Sequence, residues 1–295
     1  MNGYLEYWGQ MLADPTMQRA LLVALVVGAA APVVGTFLVQ RRLALLGDGI
    51  GHVALTGVAL GWLIGAGLGL EPGALAIPGA VVASVVGAVV IELVSASGRT
   101  SGDLALALMF YGGIAGGAAL IKVAGGTSAT LVAYLFGSLS TLSPSDVATS
   151  GLLAGVILVL GVAGRWALFV SGSDQPFAQA CGIPTRIWNV LSAALAALTV
   201  AVAMRVVGLL LVSALMIVPV AITQLVTRSF GRTMASAAVL GSITGAAGLV
   251  LAYWYDLPPG ATIVVLAIIL YALAALGHPV MDKFRARKGR VYDPA

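Results

Sequence analysis

The stretch GIGHVALTGVALGWLIGAGLGL at positions 49–70 decides the fold class, because it contains no aspartate, glutamate, lysine or arginine. A helix of this length would measure about 33 Å at a rise of 1.5 Å per residue, which is enough to cross a hydrocarbon core of about 30 Å. The stretch has no period-two alternation of polar and apolar residues, so it is typical of a membrane helix rather than a barrel strand.

Similar uncharged stretches fill the rest of the chain. They cover positions 20–40, 72–91, 104–121, 147–164, 187–204, 206–227, 233–255 and 257–281. Only 9% of the 295 residues are charged, whereas a soluble domain carries roughly a quarter. We therefore predict an all-α, polytopic membrane helical bundle of about nine transmembrane helices, with a range of eight to ten, in a single transmembrane domain over residues 1–295.

The basic residues predict the orientation of this bundle. With nine helices and the N-terminus outside, 12 of the 15 lysines and arginines lie on the cytoplasmic side, and only Arg19, Lys122 and Arg205 lie outside. This asymmetry follows the positive-inside rule. Residues 282–295 are then a cytoplasmic tail that contacts the anionic inner leaflet.

Residues 123–145 leave one alternative open. They are uncharged but rich in glycine, serine and threonine around an apolar centre at 131–139. If they formed a tenth span, Arg41, Arg42 and Arg99 would move to the outside. We predict instead a re-entrant or interfacial segment, whose irregular backbone is buried in protein.

Asp48 and His52 are the strongest candidates for chemistry within a span. They are four residues apart, so on a helix their side chains share one face, and ionisable groups in membrane helices are costly and usually functional. A carboxylate and an imidazole suit a borderline metal such as zinc or manganese. The alternative is a hydrogen-bonded Asp–His pair that only locks two helices together.

Several other functions are excluded or unsupported by the residues present. The chain has one cysteine and two histidines and lacks both the GxxxxGK[ST] pattern of ATP-binding loops and the HExxH pattern of metalloproteases. The net charge of +4 comes from residues between spans, which is not a nucleic-acid-binding pattern. We predict no enzyme activity in this chain and no permanently bound cofactor.

Four motifs resemble the permeases of ABC importers for zinc, manganese and iron(II), known as the ABC-3 family. They are RRLALLGDGIGH at 41–52, AYLFGSL at 133–139, AMRVVGLLLVSALMIVP at 203–219 and YDLPPG at 255–260. They occur in the family's order, with apolar spacers of suitable length, along nearly the whole chain.

The resemblance implies a multi-pass protein of the bacterial cytoplasmic (inner) membrane. Its expected partners are the lipid bilayer, a second permease copy in a homodimer, a cytoplasmic ABC ATPase dimer that binds ATP, and an extracytoplasmic metal-binding protein. Asp48 and His52 match family positions linked to metal passage, with zinc expected first and manganese or iron(II) as alternatives. Two departures, Thr56 where many relatives have proline and Tyr111 where some zinc permeases have histidine, leave the metal open.

The segment DQPFAQACGIP at 174–184 resembles the cytoplasmic coupling segment by which such permeases contact the ATPase. We call it the coupling segment. The residues expected to make that contact are Asp174, Gln175, Phe177, Ala178, Ala180 and Gly182.

Two rival functions remain. An ABC permease for a siderophore or cobalamin-like substrate would use Asp48 and His52 only structurally. An ion-coupled secondary transporter would use Asp48 as its protonation site.

Overall fold

A computed structural model describes residues 9, 11–71, 73–96, 102–137, 144–204 and 208–289. These residues form helices joined by short turns, and no strand occurs among them. The helices are α1 (Pro15–Gln40), α2 (Leu46–Gly67), α3 (Ala76–Ala96), α4 (Gly102–Val123), α5 (Ser128–Phe136), α6 (Pro144–Ala163), α7 (Arg165–Ser173), α8 (Gln175–Ala180), α9 (Thr185–Ala203), α10 (Leu209–Val226), α11 (Phe230–Tyr255) and α12 (Pro259–Gly289).

The predicted all-α membrane bundle is confirmed. In the described part of the chain, eight helices are long and apolar enough to cross a membrane, namely α1, α2, α3, α4, α6, α9, α11 and α12. The helix α10 is a further, shorter apolar helix. Together these helices correspond to the nine uncharged stretches of the sequence. The expectations for Arg99 and Arg205 lie outside the described residues.

Helices α1 and α2 form the centre of the bundle. Asp14 begins α1 as its N-cap, where Oδ1 accepts a hydrogen bond of 2.8 Å from the backbone amide of Thr16, which satisfies one of the free amides at the helix start. Helix α1 packs against α6, α9, α10 and α11, and α2 packs against α3, α4, α9 and α10. Side chains on α2 are therefore surrounded by protein on several sides.

Within the uncharged segment at 123–145, the described residues 124–137 contain the short helix α5. Its nine residues measure about 13 Å, which is less than half the thickness of a hydrocarbon core. It packs against the start of α10, where Gly208 has a φ of +86° and a Cβ atom would overlap the backbone of Phe136. Glycine is therefore required for this close approach.

A contact between distant residues also argues against a tenth span. The side-chain amide of Gln40, at the end of α1, donates a 3.0 Å hydrogen bond to the hydroxyl of Ser173, at the end of α7. If α2, α3, α4 and α6 cross the membrane between them, both residues lie on the same side. If α5 also crossed, they would lie on opposite sides, about 30 Å apart. The arrangement with nine spans is consistent with this bond.

Candidate functional site: an acid–imidazole pair and a coupling segment

Asp48 and His52 both lie on the first two turns of α2, directly after the turn that connects it to α1. The imidazole of His52 is buried, with 2% of the residue exposed, and Asp48 is half-buried. The imidazole of His52 therefore faces protein rather than acyl chains.

The carboxylate of Asp48 is held by a residue from another helix. The hydroxyl of Ser213, on α10, donates a hydrogen bond to Oδ1 of Asp48, and Ser213 is only 6% exposed. Gly47 lies beside this contact, since a Cβ atom there would be 3.5 Å from Cβ of Ser213 and 3.6 Å from Sδ of Met216. The bond orients the carboxylate and occupies one of its two oxygens.

His52 is oriented by the neighbouring helix α4. Its ring packs edge-to-face against Phe110, with centroids 4.4 Å apart and an interplanar angle of 81°. The backbones are in direct contact there, because a Cβ atom on Gly113 would lie 2.5 Å from the carbonyl carbon of His52. The orientation of the imidazole is therefore set by van der Waals packing.

The Nδ1 atom of His52 is buried and has no hydrogen-bond partner among the described residues. A buried polar atom without a partner is destabilising, and such atoms often have a functional role. No hydrogen bond joins Asp48 to His52 in the described part of the chain. The structure thus differs from the alternative of a hydrogen-bonded pair that locks two helices, because Asp48 bonds to Ser213 instead.

The pair lies deep in the bundle. Gly51, between Asp48 and His52, packs against Leu209 and Val200, since its Cβ atom would lie 3.0 Å and 3.6 Å from their side chains. Ser213 is about 20 Å from the end of α10 at Val226, at 1.5 Å per residue. Asp48, near the start of α2, thus contacts α10 near its start rather than near its end at Val226.

A single chain does not complete a metal centre with its strongest ligands. Among the described residues, no group of three or more histidine, cysteine, aspartate or glutamate side chains could hold an ion. The two departures from the family pattern add no ligand to the pair. The hydroxyl of Thr56 donates a 3.0 Å bond to the carbonyl of Gly113, and Tyr111 is 69% exposed.

The coupling segment forms the short helix α8 between α7 and α9. Asp174 is its N-cap, and its Oδ1 accepts a 2.9 Å hydrogen bond from the amide of Phe177. Gly182 ends the segment with a φ of +77°, and the amide of Ile183 donates a 3.0 Å bond back to the carbonyl of Ala178. Local hydrogen bonds thus fix this loop in one shape.

The six predicted contact residues divide between the two faces of this segment. Ala178 is buried against the protein and anchors α8. Phe177 is 58% exposed. The remaining four, Asp174, Gln175, Ala180 and Gly182, are exposed. The segment therefore presents an accessible surface with a phenyl ring on it.

Sequence reasoning missed a buried ion pair beside the coupling segment. Nη2 of Arg41 lies 3.1 Å from Oε2 of Glu92, and the two side chains are only 13% and 12% exposed. Nη1 of Arg41 donates a 2.7 Å hydrogen bond to the hydroxyl of Ser192. The positive-inside rule assigns Arg41 to one side of the membrane, but it carries no information on such a partner.

Comparison with known proteins identifies the family. The model of the ABC 3 transport family matches residues 13–278. The chain is 34% identical to the manganese transport system membrane protein MntC of Halalkalibacterium halodurans over 280 residues, which cover 95% of this chain and 93% of that protein. It is 29% identical to the manganese import system permease protein ScaB of Streptococcus parasanguinis, over 90% and 92% of the two chains.

Solved structures agree with this assignment. A chain of PsaBC from Streptococcus pneumoniae, solved in complex with Fab, superposes with a TM-score of 0.80 at 28% identity, over 92% of this chain and 95% of the other. An inward-facing putative metal-chelate type ABC transporter superposes with a TM-score of 0.58 at 17% identity, over 90% and 89% of the chains. At that identity the second match shows a shared fold alone.

The family match, rather than the fold, favours the permease of a metal importer over the two rival transporter classes. The chain is a multi-pass protein of the bacterial inner membrane that has no enzyme activity of its own. With the family matched over residues 13–278, the protein belongs to the ABC 3 transport family and is the permease subunit of a metal importer, whose ATPase is a separate subunit.

Proposed function

We propose that this permease imports manganese, and that Asp48 and His52 bind the ion while it crosses the membrane. The buried Nδ1 atom of His52, without a hydrogen-bond partner in the described residues and one helical turn from the Asp48 carboxylate, carries this proposal. A buried ligand atom without a partner destabilises the protein, and binding of a cation removes that destabilisation.

The choice of manganese over zinc rests on the relatives and on the donor atoms. The two relatives compared above are named for manganese, and none of the reported names mentions zinc. Carboxylate and hydroxyl oxygens suit Mn²⁺, whereas imidazole also suits zinc. Mn²⁺ binds most weakly in the Irving–Williams order. A site with few protein ligands therefore does not select Mn²⁺ by affinity, and selection depends on which ion is delivered to the permease.

The site is completed by a second copy of the chain. Each chain supplies one strong carboxylate and one imidazole, and no third strong ligand is present among the described residues. Two copies arranged about a two-fold axis would offer two carboxylates and two imidazoles. Such a shared site would exchange its ion readily, as transport requires. Movement of the two subunits relative to each other would form the site or open it.

The energy for this movement comes from a cytoplasmic dimer of ATPase subunits that docks on the coupling segment. The exposed ring of Phe177 and the rigid cap at Asp174 support this role, because a docking element must be accessible and must not deform when pushed. An extracytoplasmic binding protein delivers the ion to the opposite face. In the predicted nine-span orientation, these two partners lie on opposite sides of the membrane.

Uptake of radioactive metal ions tests the proposal. Cells or proteoliposomes that contain the permease, its ATPase and its binding protein should accumulate ⁵⁴Mn²⁺, and unlabelled Mn²⁺ should compete more effectively than Zn²⁺ or Fe²⁺. His52→Ala should reduce uptake to background while the permease still co-purifies with the ATPase. His278→Ala is the matched control, because His278 is the only other histidine of the sequence and lies on α12 rather than on α2.

Two outcomes would overturn the proposal separately. Normal uptake by His52→Ala would remove the ion-binding role of the pair. Stronger competition by zinc than by manganese would leave the pair in place and reassign the cargo.

A further inference from the structure

The side chain of Arg41, which follows the end of α1, contacts three other helices. Its guanidinium donates to both carboxylate oxygens of Glu92 on α3, at 3.3 Å and 3.1 Å. It also donates to the hydroxyl of Ser192 at 2.7 Å and reaches the carbonyl of Asn189 at 3.4 Å, both on α9. Its alkyl stem packs on α7, where a Cβ atom at Gly172 would be 3.1 Å from Cγ of Arg41.

The same cluster touches the chain immediately before the coupling segment. Gln40 bonds to Ser173, and the next residue, Asp174, is the N-cap of α8. A cavity of about 470 Å³ lies here, and its lining includes Arg41, Glu92, Ser171 and Gln175. The buried hydroxyl of Ser171 has no hydrogen-bond partner among the described residues, so the cavity offers the guanidinium both space and a further acceptor.

On the C-terminal side of Arg41, a short turn held by backbone hydrogen bonds leads to α2. The amide of Arg41 donates to the carbonyl of Phe37 at 3.0 Å, and the amide of Leu43 donates to that of Leu38 at 2.8 Å. The amide of Leu46 then donates to the carbonyl of Leu43 at 3.0 Å. Arg42 has a left-handed φ of 58°, which reverses the chain in a single residue. A shift of Arg41 is therefore passed to the start of α2.

We propose that Arg41 is the relay by which movement of the coupling segment reaches α2, the helix that carries Asp48 and His52. The inference rests on the proposed function, since it assumes that the ATPase pushes on α8. It assigns Arg41 a positioning role and not a metal-binding role.

The chemistry of the side chain suits such a relay. A guanidinium is planar, always charged, and presents several donors in a rigid fork, so it can hold a carboxylate and a hydroxyl at the same time with fixed geometry. The pair of Arg41 and Glu92 is largely shielded from solvent, since only 13% and 12% of the two side chains are exposed, and its charge-assisted hydrogen bonds are directional. A lysine ammonium would keep the charge but would lose the fork that joins α3 to α9.

The test compares Arg41→Lys with the wild type in the reconstituted complex of permease, ATPase and binding protein. The measurements are Mn²⁺-stimulated ATP hydrolysis, ⁵⁴Mn²⁺ uptake, equilibrium Mn²⁺ binding and co-purification of the ATPase. We expect stimulated hydrolysis and uptake to fall roughly 2- to 30-fold, the range that coupling energies of this kind produce. Mn²⁺ binding and co-purification should stay at the wild-type level, because Asp48, His52 and the exposed face of α8 are untouched.

Two further variants keep the result interpretable. Arg228→Lys makes the same substitution at an exposed arginine between α10 and α11 and should behave like the wild type. The double variant Arg41→Gln/Glu92→Gln removes both charges together, so neither is left buried without a partner. It should assemble and bind Mn²⁺ but transport poorly.

The outcomes separate this inference from the function on which it rests. If the wild-type complex is not stimulated by Mn²⁺, the proposed function itself fails. If the wild type is stimulated and Arg41→Lys is stimulated equally, only the relay is overturned. If both Arg41 variants fail to assemble with the ATPase or lose Mn²⁺ binding, Arg41 is a structural residue and the relay is also overturned.

Discussion

At the scale of single residues, the Asp48 carboxylate and the His52 imidazole are held in different ways. Asp48 is fixed by one hydrogen bond from Ser213, and His52 is fixed by the face of α4 and the ring of Phe110. One support is polar and removable by deleting a single oxygen atom. The other combines the ring of Phe110 with a close backbone contact at Gly113.

Ser213→Ala tests the polar support. Without the hydroxyl, the Asp48 side chain loses the partner that orients it, and we expect the apparent KM for Mn²⁺ uptake to rise roughly ten-fold, which corresponds to about 1.4 kcal/mol. The maximal rate should change much less, because the ligands themselves remain. Initial-rate uptake over a series of Mn²⁺ concentrations measures both quantities.

Ser213→Thr provides the control, because it keeps the hydroxyl and should restore a KM close to that of the wild type. A lower KM in Ser213→Ala would show that the serine competes with the ion for the carboxylate, which contradicts a positioning role.

At the scale of elements, α2 and α4 are in contact along a line of glycines. Gly113 touches the backbone of His52, while its neighbour Gly112 has nothing within 4 Å of a hypothetical Cβ atom. In lipid, small residues allow helices to approach closely and pack through van der Waals contact. This contact positions the candidate ligand.

Gly113→Ala should therefore separate the two helices. We expect the overpacked methyl group to destabilise the protein by about 1–3 kcal/mol and to reduce Mn²⁺ uptake by displacing His52. Thermal unfolding in detergent, followed by size-exclusion chromatography, measures the stability. Gly112→Ala is matched in chemistry and in position along the helix, and it should unfold and transport like the wild type. Equal effects of the two substitutions would mean that the α2–α4 contact does not position His52.

The sequence predicts the long helices well and the short helices less well. Residues 49–70 and the other uncharged stretches predict the long helices, since span length and apolarity are local properties. Whether residues 123–145 cross the membrane could not be predicted in the same way. Its apolar centre is long enough to suggest a helix, but whether that helix crosses the membrane depends on its packing against the start of α10, where Gly208 contacts the backbone of Phe136.

At the scale of the whole molecule, the hydrogen bond between Gln40 and Ser173 holds the end of α1 and the end of α7 on the same side of the bundle. It sets the end of α1 beside the coupling segment, where the nine-span arrangement requires both to be cytoplasmic. The single cysteine, Cys181, is exposed at the end of α8, so it reports directly on the side and the accessibility of this surface.

Cys181 should react with a membrane-impermeant maleimide only from the cytoplasmic side. We expect labelling in inside-out vesicles and none in right-side-out vesicles, and the bound ATPase should reduce the labelling because it covers α8. Gel-shift of the labelled protein measures the extent. The control is the double variant Cys181→Ser/Lys122→Cys. Position 122 is exposed at the C-terminal end of α4, which the nine-span arrangement assigns to the outside, so it should show the opposite pattern. Labelling of Cys181 from outside would reverse the orientation.

Local sequence was enough to predict the membrane bundle, its nine apolar stretches, and the position of Asp48 and His52 on one helical face. These follow from properties of neighbouring residues: the absence of charge over a span, and a spacing of one helical turn. Only the tertiary structure decided that Ser213 holds Asp48, that Arg41 pairs with Glu92, and that α5 stops short of a span. Those partners are far apart along the chain, and which of them meet depends on how helices pack, which no local pattern encodes.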